Sequence, residues 1–323
     1  MTADEVNQPV ALAAAMPGAA SMVHQFTLVL PGPLDIAASL EQFRRAGDDL
    51  LDRWDGAWLM RTLRVGQRII PYAAQARGTV AAPALLVKVA RAEDRPPVEA
   101  ALLATFVQAP AEAFIALLRA DALVAALDAR YPGLRPARQF GLYAALVRCI
   151  SAQQVNLRWA TTTRRRLAET FGERHVIGAR EVYSLSAERM ADVSVAELRA
   201  LQFTTRKAEY LIGAAQEIAS GALDAEALAA LPDEAVIARL VALRGIGRWS
   251  AEWILARTLG RPCVVAGDLA VRKVVARAYL GYGGARGETL PDEAAVRAAT
   301  AHWGAAAGVA QGLLLHGYGA DPT

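Results

Sequence analysis

The apolar period of this chain changes once, at "EDRPPVEA" (residues 93–100), and no other feature constrains the fold as much. Before it, "FTLVLPG", "WLMRTLRVG", "RIIPYAAQ" and "GTVAAPALLVKVA" are short runs of strand type bounded by Gly and Pro. One helical segment, "DIAASLEQFRRAG", interrupts them. From Pro97 onward nearly every segment repeats its apolar residues at helical spacing, with Gly or Pro at the joints, in about ten helices. No repeat of fixed period is visible. The pattern predicts a mainly α protein with an N-terminal α+β domain built on an antiparallel sheet. At 323 residues the chain needs more than one core, since single cores stop growing at roughly 100 to 200 residues.

Several classes are excluded early. No apolar run approaches the roughly 18 to 20 residues that a spanning helix needs. The opening stretch, residues 1–21, carries acidic charges where a secretory leader would be basic, and reads as a disordered tail. Cys149 and Cys263 are the only cysteines, too few for a disulfide framework or a four-cysteine cluster, which fits a reducing cytoplasm. His24, His175, His302 and His316 share no metal-ligand spacing, so no catalytic metal and no cofactor is expected.

Charge is uneven along the chain. Residues 1–130 hold 12 basic and 14 acidic side chains, and residues 131–323 hold 23 and 18. Between 241 and 277 there are seven basic side chains against two acidic ones, Glu252 and Asp268. A local excess of this kind suits a phosphate backbone, or simply a solvated helix face.

Position favours the phosphate. "LPDEAVIARLVAL" is a helical segment with Pro232, Asp233 and Glu234 in its first turn. Gly245 and Gly247 then reverse the chain, and a second helix starts near Arg248 and runs to Gly260-Arg261-Pro262. The glycines leave backbone N–H groups bare where the helix dipole is positive, which is an anion site, although a tight helix connection needs no more than this. A short connector later, Asp268 heads "DLAVRKVVARAYL", in which Leu269, Val271, Val274, Val275 and Ala278 are expected to form one buried stripe. Asp268 is an N-cap by position. A fixed anion beside bound DNA repels phosphates, yet it would stabilise positive charge developing on a deoxyribose that is losing its base.

"LRGIGRWSAEW" followed by "GDLAVRK" closely resembles the helix-hairpin-helix and catalytic aspartate of the DNA glycosylase superfamily, and most nearly its bacterial 3-methyladenine DNA glycosylase II branch. "YAALVRCISAQQVN" and "LRALQFTTRKAEYL" extend the resemblance to about residues 137–280. The resemblance implies Asp268 as the catalytic residue; Trp249, Trp253, Tyr143 and Leu315 around the base; and Gln153, Gln154, Arg244, Gly245, Ile246, Gly247 and Arg248 on DNA, with Gln154 as the wedge that fills the gap left by an extruded nucleotide. A structural cation on the backbone carbonyls of Val241, Leu243 and Ile246 is also implied. Trp249 stands where the strand-cutting branches place a nucleophilic lysine, and the chain's three lysines, Lys88, Lys207 and Lys273, lie outside the hairpin. The chain departs from the branch at Tyr143-Ala144 (usually Phe-Glu), Arg244 (usually Pro), Asn156 (usually Ser) and Leu315 (Trp in some members).

The expected organisation is an N-terminal α+β domain over 22–110, a helical lobe carrying Asp268 over 111–136 and 260–323, and a helical lobe with the hairpin over 137–259. The function that the resemblance implies is a monofunctional glycosylase of base excision repair, without AP lyase activity, that flips and hydrolytically releases alkylated purines of the 3-methyladenine type from damaged double-stranded DNA, as a monomer in the cytoplasm and without a membrane. Its rivals are a glycosylase for uracil, deaminated or oxidised bases, and a non-enzymatic helix-hairpin-helix DNA-binding protein.

Overall fold

The computed structural model describes residues 23–284 and 288–318, so the tail expected over residues 1–21 lies outside the described residues. The N-terminal unit is β1 (His24–Val29), α1 (Ile36–Leu40), β2 (Arg53–Trp54), β3 (Trp58–Val65), β4 (Arg68–Gly78), β5 (Pro83–Val89) and α2 (Arg95–Leu103). Its five strands form one antiparallel sheet in the order β1-β5-β4-β3-β2. Strict alternation in "PALLVKV" turns Leu85, Val87 and Val89 of β5 inward, beside Phe26 and Leu28 of β1. The two-residue Gly66-Gln67 turn closes β3 on β4, with Val65 opposite Arg68 and Gly66 at φ +59°. β2 is an addition to the four strands read from the sequence. At two residues it is too short to show a period.

The helical body follows: α3 (Ala111–Ala120), α4 (Ala122–Arg130), α5 (Leu142–Ala152), α6 (Leu157–Phe171), the strands β6 (Glu173–Ile177) and β7 (Arg180–Ser184), then α7 (Ala187–Ala191), α8 (Val195–Ala200), α9 (Thr205–Ala219), α10 (Ala225–Ala229), α11 (Asp233–Val241), α12 (Arg248–Arg257), α13 (Leu269–Tyr279), α14 (Glu293–Thr300) and α15 (Ala307–Tyr318). The all-helical expectation after Pro97 is corrected at β6 and β7. They form a hairpin through Gly178 at φ +60°, and its inward Ile177 and Val182 pack with Trp58, Met60 and Ala73 of the N-terminal sheet. Five-residue strands with polar alternate positions sit below what helical periodicity can resolve.

Two helical cores result. One gathers α5 to α12 around α5, whose Ala145, Leu146, Val147 and Ile150 are fully buried. The other gathers α3, α4 and α13 to α15 around Trp303. The N-terminal unit is fastened to the first core by buried charge: Asp49 accepts from Arg164 Nε at 2.8 Å and from Arg148 Nη2 at 3.1 Å. Burial alone would raise the Asp49 carboxyl, but the two guanidiniums hold it below the usual carboxylate range.

Candidate active site

The hairpin takes its shape from a few backbone contacts. After α11 the Leu243 N–H bonds Leu240 O, and the Ile246 N–H bonds Leu243 O at 3.1 Å. Gly245 sits at φ +86°, and a Cβ there would fall 2.2 Å from the Tyr210 ring, so both conformation and space demand glycine. Gly247 is different. Its φ of −95° is open to any residue, and a Cβ would meet nothing within 4 Å. Of the two glycines that reverse the chain, only Gly245 therefore needs an angle closed to other residues. Gly247 is the N-cap of α12, which has no side-chain cap, whereas Asn156, Thr204, Asp268 and Asp292 cap α6, α9, α13 and α14. The first N–H groups of α12 are left open above free space.

Asp268 caps α13 through one oxygen: Oδ1 accepts from Ala270 N at 2.9 Å and Val271 N at 3.0 Å. Oδ2 accepts from Trp249 Nε1 at 3.0 Å. That bond crosses from the hairpin core to the second core and joins the two residues that the sequence set 19 positions apart. The carboxylate is held by three donors and stays half-exposed. Behind it, the connector is tied to α15 by the Val265 N–H on Gln311 Oε1 at 2.8 Å. The stripe on α13 differs from expectation at its first and last members, and Ala278 is only half-buried. Val271, Val274 and Val275 are buried, but Leu269 is 59% exposed beside Asp268.

The remaining expected residues divide. Trp253, one turn after Trp249, is half-buried against the hairpin core. Tyr143 is buried on α5 at 5% exposure, and its hydroxyl donates to Leu211 O at 3.4 Å. Leu315 lies half-buried on α15 against the second core, one turn beyond Gln311. The Ile246 side chain is likewise a core residue, at 4% exposure, so only its backbone is available to a ligand. Gln154 is exposed at φ +54°, the apex of the loop between α5 and α6. Gln153 turns back instead, and its Nε2 donates to Gly245 O at 2.8 Å. Arg244 pairs with Glu209 at 3.0 Å, and Arg248 with Glu234 and Glu252, both at 2.8 Å. Each must exchange a carboxylate for any phosphate it meets.

Sequence reasoning missed three residues here. Glu252 is 1% exposed, and its Oε1 accepts from Arg248 Nε at 2.8 Å and pairs with Arg297 Nη1 of α14 at 2.7 Å, a second link between the cores. Arg257 ends α12 on the face that carries Trp249 and Trp253. Glu252 was visible as one of two acids in a basic stretch; Arg297 gave no signal.

Among the described residues no group of three His, Cys, Asp or Glu side chains could hold a metal ion, and no helix is long and apolar enough to cross a membrane. Residues 147–294 match the HhH-GPD superfamily of base excision DNA repair proteins. YfjP of Bacillus subtilis (strain 168) is 37% identical over 123 residues, 38% of this chain and 42% of that protein. A DNA-3-methyladenine glycosylase of the same organism is 31% identical over 150 residues, 46% of this chain and 50% of that one. The chain thus spans about half the length of the curated relatives it matches. The fold is that of the 3-methyladenine DNA glycosylase from Archaeoglobus fulgidus, with a TM-score of 0.78 at 20% identity over 92% of this chain and 100% of that one.

Proposed function

The chain carries an HhH-GPD superfamily domain over residues 147–294, and on that premise we propose that it is a monofunctional DNA glycosylase that extrudes alkylated purines from duplex DNA and hydrolyses their glycosidic bond. The observation that carries this reading is the Asp268–Trp249 bond beside the uncapped start of α12. A phosphate resting on the open N–H groups of α12 would fix the register of the duplex. Gln154, exposed at the apex of its loop, would fill the place of the extruded nucleotide, and Gln153 would keep that loop against the hairpin.

At the sugar, Asp268 has one oxygen engaged twice by the helix and the other once by Trp249, which leaves a lone pair of the second open. As the C1′–N bond breaks, its anionic charge opposes the positive charge growing on the ring, and it orients the water that adds at C1′. Trp249 and Trp253 offer faces to an extruded base, and a purine alkylated at N3 or N7 is cationic, so its stacking is favoured electrostatically. Trp249 stands where a nucleophilic lysine would, and the three lysines lie outside the hairpin, which supports a reaction without a Schiff base. Lys207 Nζ donates to Ser151 O, Lys88 lies over the Trp58 ring, and Lys273 is exposed on α13. The expected product is therefore an intact abasic strand.

The hairpin carbonyls of Val241, Leu243 and Ile246 are neutral oxygen donors without a carboxylate, a set suited to a weakly held monovalent cation, whose contribution would be to brace the turn. Protein acting as a monomer on duplex DNA in the cytoplasm completes the reading.

The test is release of free methylated base from alkylated duplex, read by chromatography, with borohydride present in parallel. Free base without a trapped protein–DNA adduct is expected. Duplex binding without base release would favour the non-enzymatic module instead, and a trapped adduct would remove the monofunctional assignment. Replacing Gly247 by Val should weaken binding to damaged and undamaged duplex alike, several-fold, since phosphate contacts carry no lesion information.

A further inference from the structure

Five charged side chains of alternating sign run from the hairpin to the lobe that carries Asp268. Glu234 of α11 accepts from Arg248 Nη2 at 2.8 Å, and Arg248 Nε donates to Glu252 Oε1 at 2.8 Å. The same Oε1 takes Arg297 Nη1 at 2.7 Å, and Arg297 Nη2 donates to Glu293 Oε2 at 3.0 Å. At one end, Arg248 is the first residue of α12, beside the uncapped N–H groups. At the other, Glu293 stands against the residues that carry and hold Asp268. A Cβ on Gly267 would fall 3.0 Å from Glu293 Oε1 and 3.4 Å from Trp249 Cβ. Gly267 precedes Asp268 in the chain, and Trp249 bonds its carboxylate.

The middle of this run is lopsided. Glu252 is buried, and both cations crowd its Oε1, while its Oε2 is out of solvent and has no hydrogen-bond partner among the described residues. A buried carboxylate oxygen left unmet is costly, and the guanidinium fork is shaped to meet both oxygens of a carboxylate at once. The two cations differ in what else they can hold. Arg248 is exposed beside the seat of a phosphate, whereas Arg297 lies half-buried between Glu252 and Glu293. A phosphate that takes Arg248 leaves Glu252 to Arg297, whose fork then meets Oε1 and Oε2 together and lets go of Glu293. The carboxylate thus has two discrete arrangements, and each end of the run biases which one is held.

Resting on the glycosylase reading, we propose that Glu252 is a positioning residue: by passing its hold from Arg248 to Arg297 when a backbone phosphate takes Arg248, it makes the setting of the Asp268 site depend on duplex seated at the hairpin. Glu252 itself touches neither base nor sugar. Arg297 and Glu293 deliver the change to Gly267 and Trp249, the two supports of the Asp268 carboxylate. The same linkage runs backwards, as it must: while Glu252 keeps its charge, it competes with phosphate for Arg248 and holds down the affinity for DNA of any sequence. Excision is thereby reserved for duplex gripped through the hairpin.

The experiment measures affinity for undamaged duplex and single-turnover release of 7-methylguanine at saturating protein. It compares wild type, Glu252→Gln, Arg297→Met, the double variant and Arg297→Lys, each checked by thermal melting. Glu252→Gln keeps the shape and loses the charge, so Arg248 is freed for phosphate: duplex should bind several-fold tighter while release slows about tenfold. Opposite directions are the signature, since a merely structural role weakens both together. Arg297→Met should also slow release about tenfold, and the double variant should be no slower than the slower single one, because both act through one contact. Arg297→Lys, a cation without a fork, should keep the wild-type affinity and recover only part of the rate. Binding and release that fall together in Glu252→Gln, an unaltered release rate, or losses that multiply in the double variant overturn the inference. If Glu252→Gln does not fold, Arg297→Lys decides: wild-type affinity with slowed release supports the inference, and a full rate or a fallen affinity overturns it. A wild type that releases no 7-methylguanine overturns the glycosylase reading, and this inference with it; a wild type that releases it while the variants depart from the pattern overturns the inference alone.

Discussion

Two aspartates in this molecule are built alike and end differently. Asp121 caps α4 as Asp268 caps α13: Oδ1 of Asp121 accepts from Leu123 N and Val124 N, both at 3.0 Å, as Oδ1 of Asp268 accepts from Ala270 N and Val271 N. In each case Oδ2 turns to a ring donor. Asp121 Oδ2 takes two, the Tyr279 hydroxyl at 2.6 Å and His302 Nε2 at 2.8 Å, and the residue is 6% exposed. Asp268 Oδ2 takes one, Trp249 Nε1, and stays half-exposed. α13 runs between the two sites, with Asp268 at its start and Tyr279 at its end. Capping is thus common to both; what separates them is that Oδ2 of Asp268 takes one donor where Oδ2 of Asp121 takes two, and under the proposed function the lone pair left open is the one that would act on the sugar.

The comparison breaks most sharply at Asp268. Asp268→Asn should lower base excision by about 10²–10³, because the charge opposing the sugar cation is gone. Asn is as good an N-cap as Asp, so the helix keeps its cap and stability should fall by no more than about 1 kcal/mol, the Trp249 N–H losing its charged acceptor. An Asn variant that excises at the wild-type rate would show that the carboxylate serves the helix alone.

Asp121→Asn should give the inverse result. Excision per folded molecule is expected to be unchanged, while stability falls by about 1–3 kcal/mol in chemical denaturation, since two ring donors lose a charged acceptor. The pair of ring donors sharpens this further. Trp249→Phe removes the N–H and keeps most of the apolar surface, and should slow excision about tenfold with binding to undamaged duplex unaltered. Tyr279→Phe should cost about 1 kcal/mol and leave excision alone.

The smallest effect is in pH. Burial by itself would raise the Asp121 carboxyl, but the hydrogen bonds from His302, Tyr279 and the two backbone N–H groups hold it below the usual carboxylate range. A carboxyl whose folded value is depressed contributes stability that is in place above the unfolded value, about 3.9, and lost as pH falls through the lower folded one. Melting of the wild type should therefore drop more steeply below about pH 4 than melting of Asp121→Asn, and coincident curves would count against the site as described.

These two aspartates also show how far the sequence carries. "ADALVAAL" and "GDLAVRKV" are both readable as a capped helix, and nothing in their spacing tells which cap is open. Asp268 stood out because the Gly245–Gly247 hairpin and two tryptophans precede it and the whole stretch resembles a family pattern. Asp121 had no such neighbours, and its partners Tyr279 and His302 lie 158 and 181 residues away. Helices with long apolar periods were legible for the same local reason, as were the strands β1, β3, β4 and β5. What escaped depends on distant chain: β6 and β7, whose period is too short; the burial of Tyr143, which shows only once α5 is seen to be surrounded; and Arg297, which meets Glu252 across two helices.

One bond described above has a mechanical meaning. Gln153 reaches over 92 residues of chain to the Gly245 carbonyl, within the hairpin whose amides face outward. The loop that would probe the base stack is thereby tied to the turn that would grip the backbone, and under the proposed function the two would work like the jaws of a fixed-gap gauge. Such a gauge has no way to adjust its own span. It can advance its probe only where the duplex yields to it, so the softness of a damaged base pair, rather than any recognition of its atoms, would be the first property the protein measures.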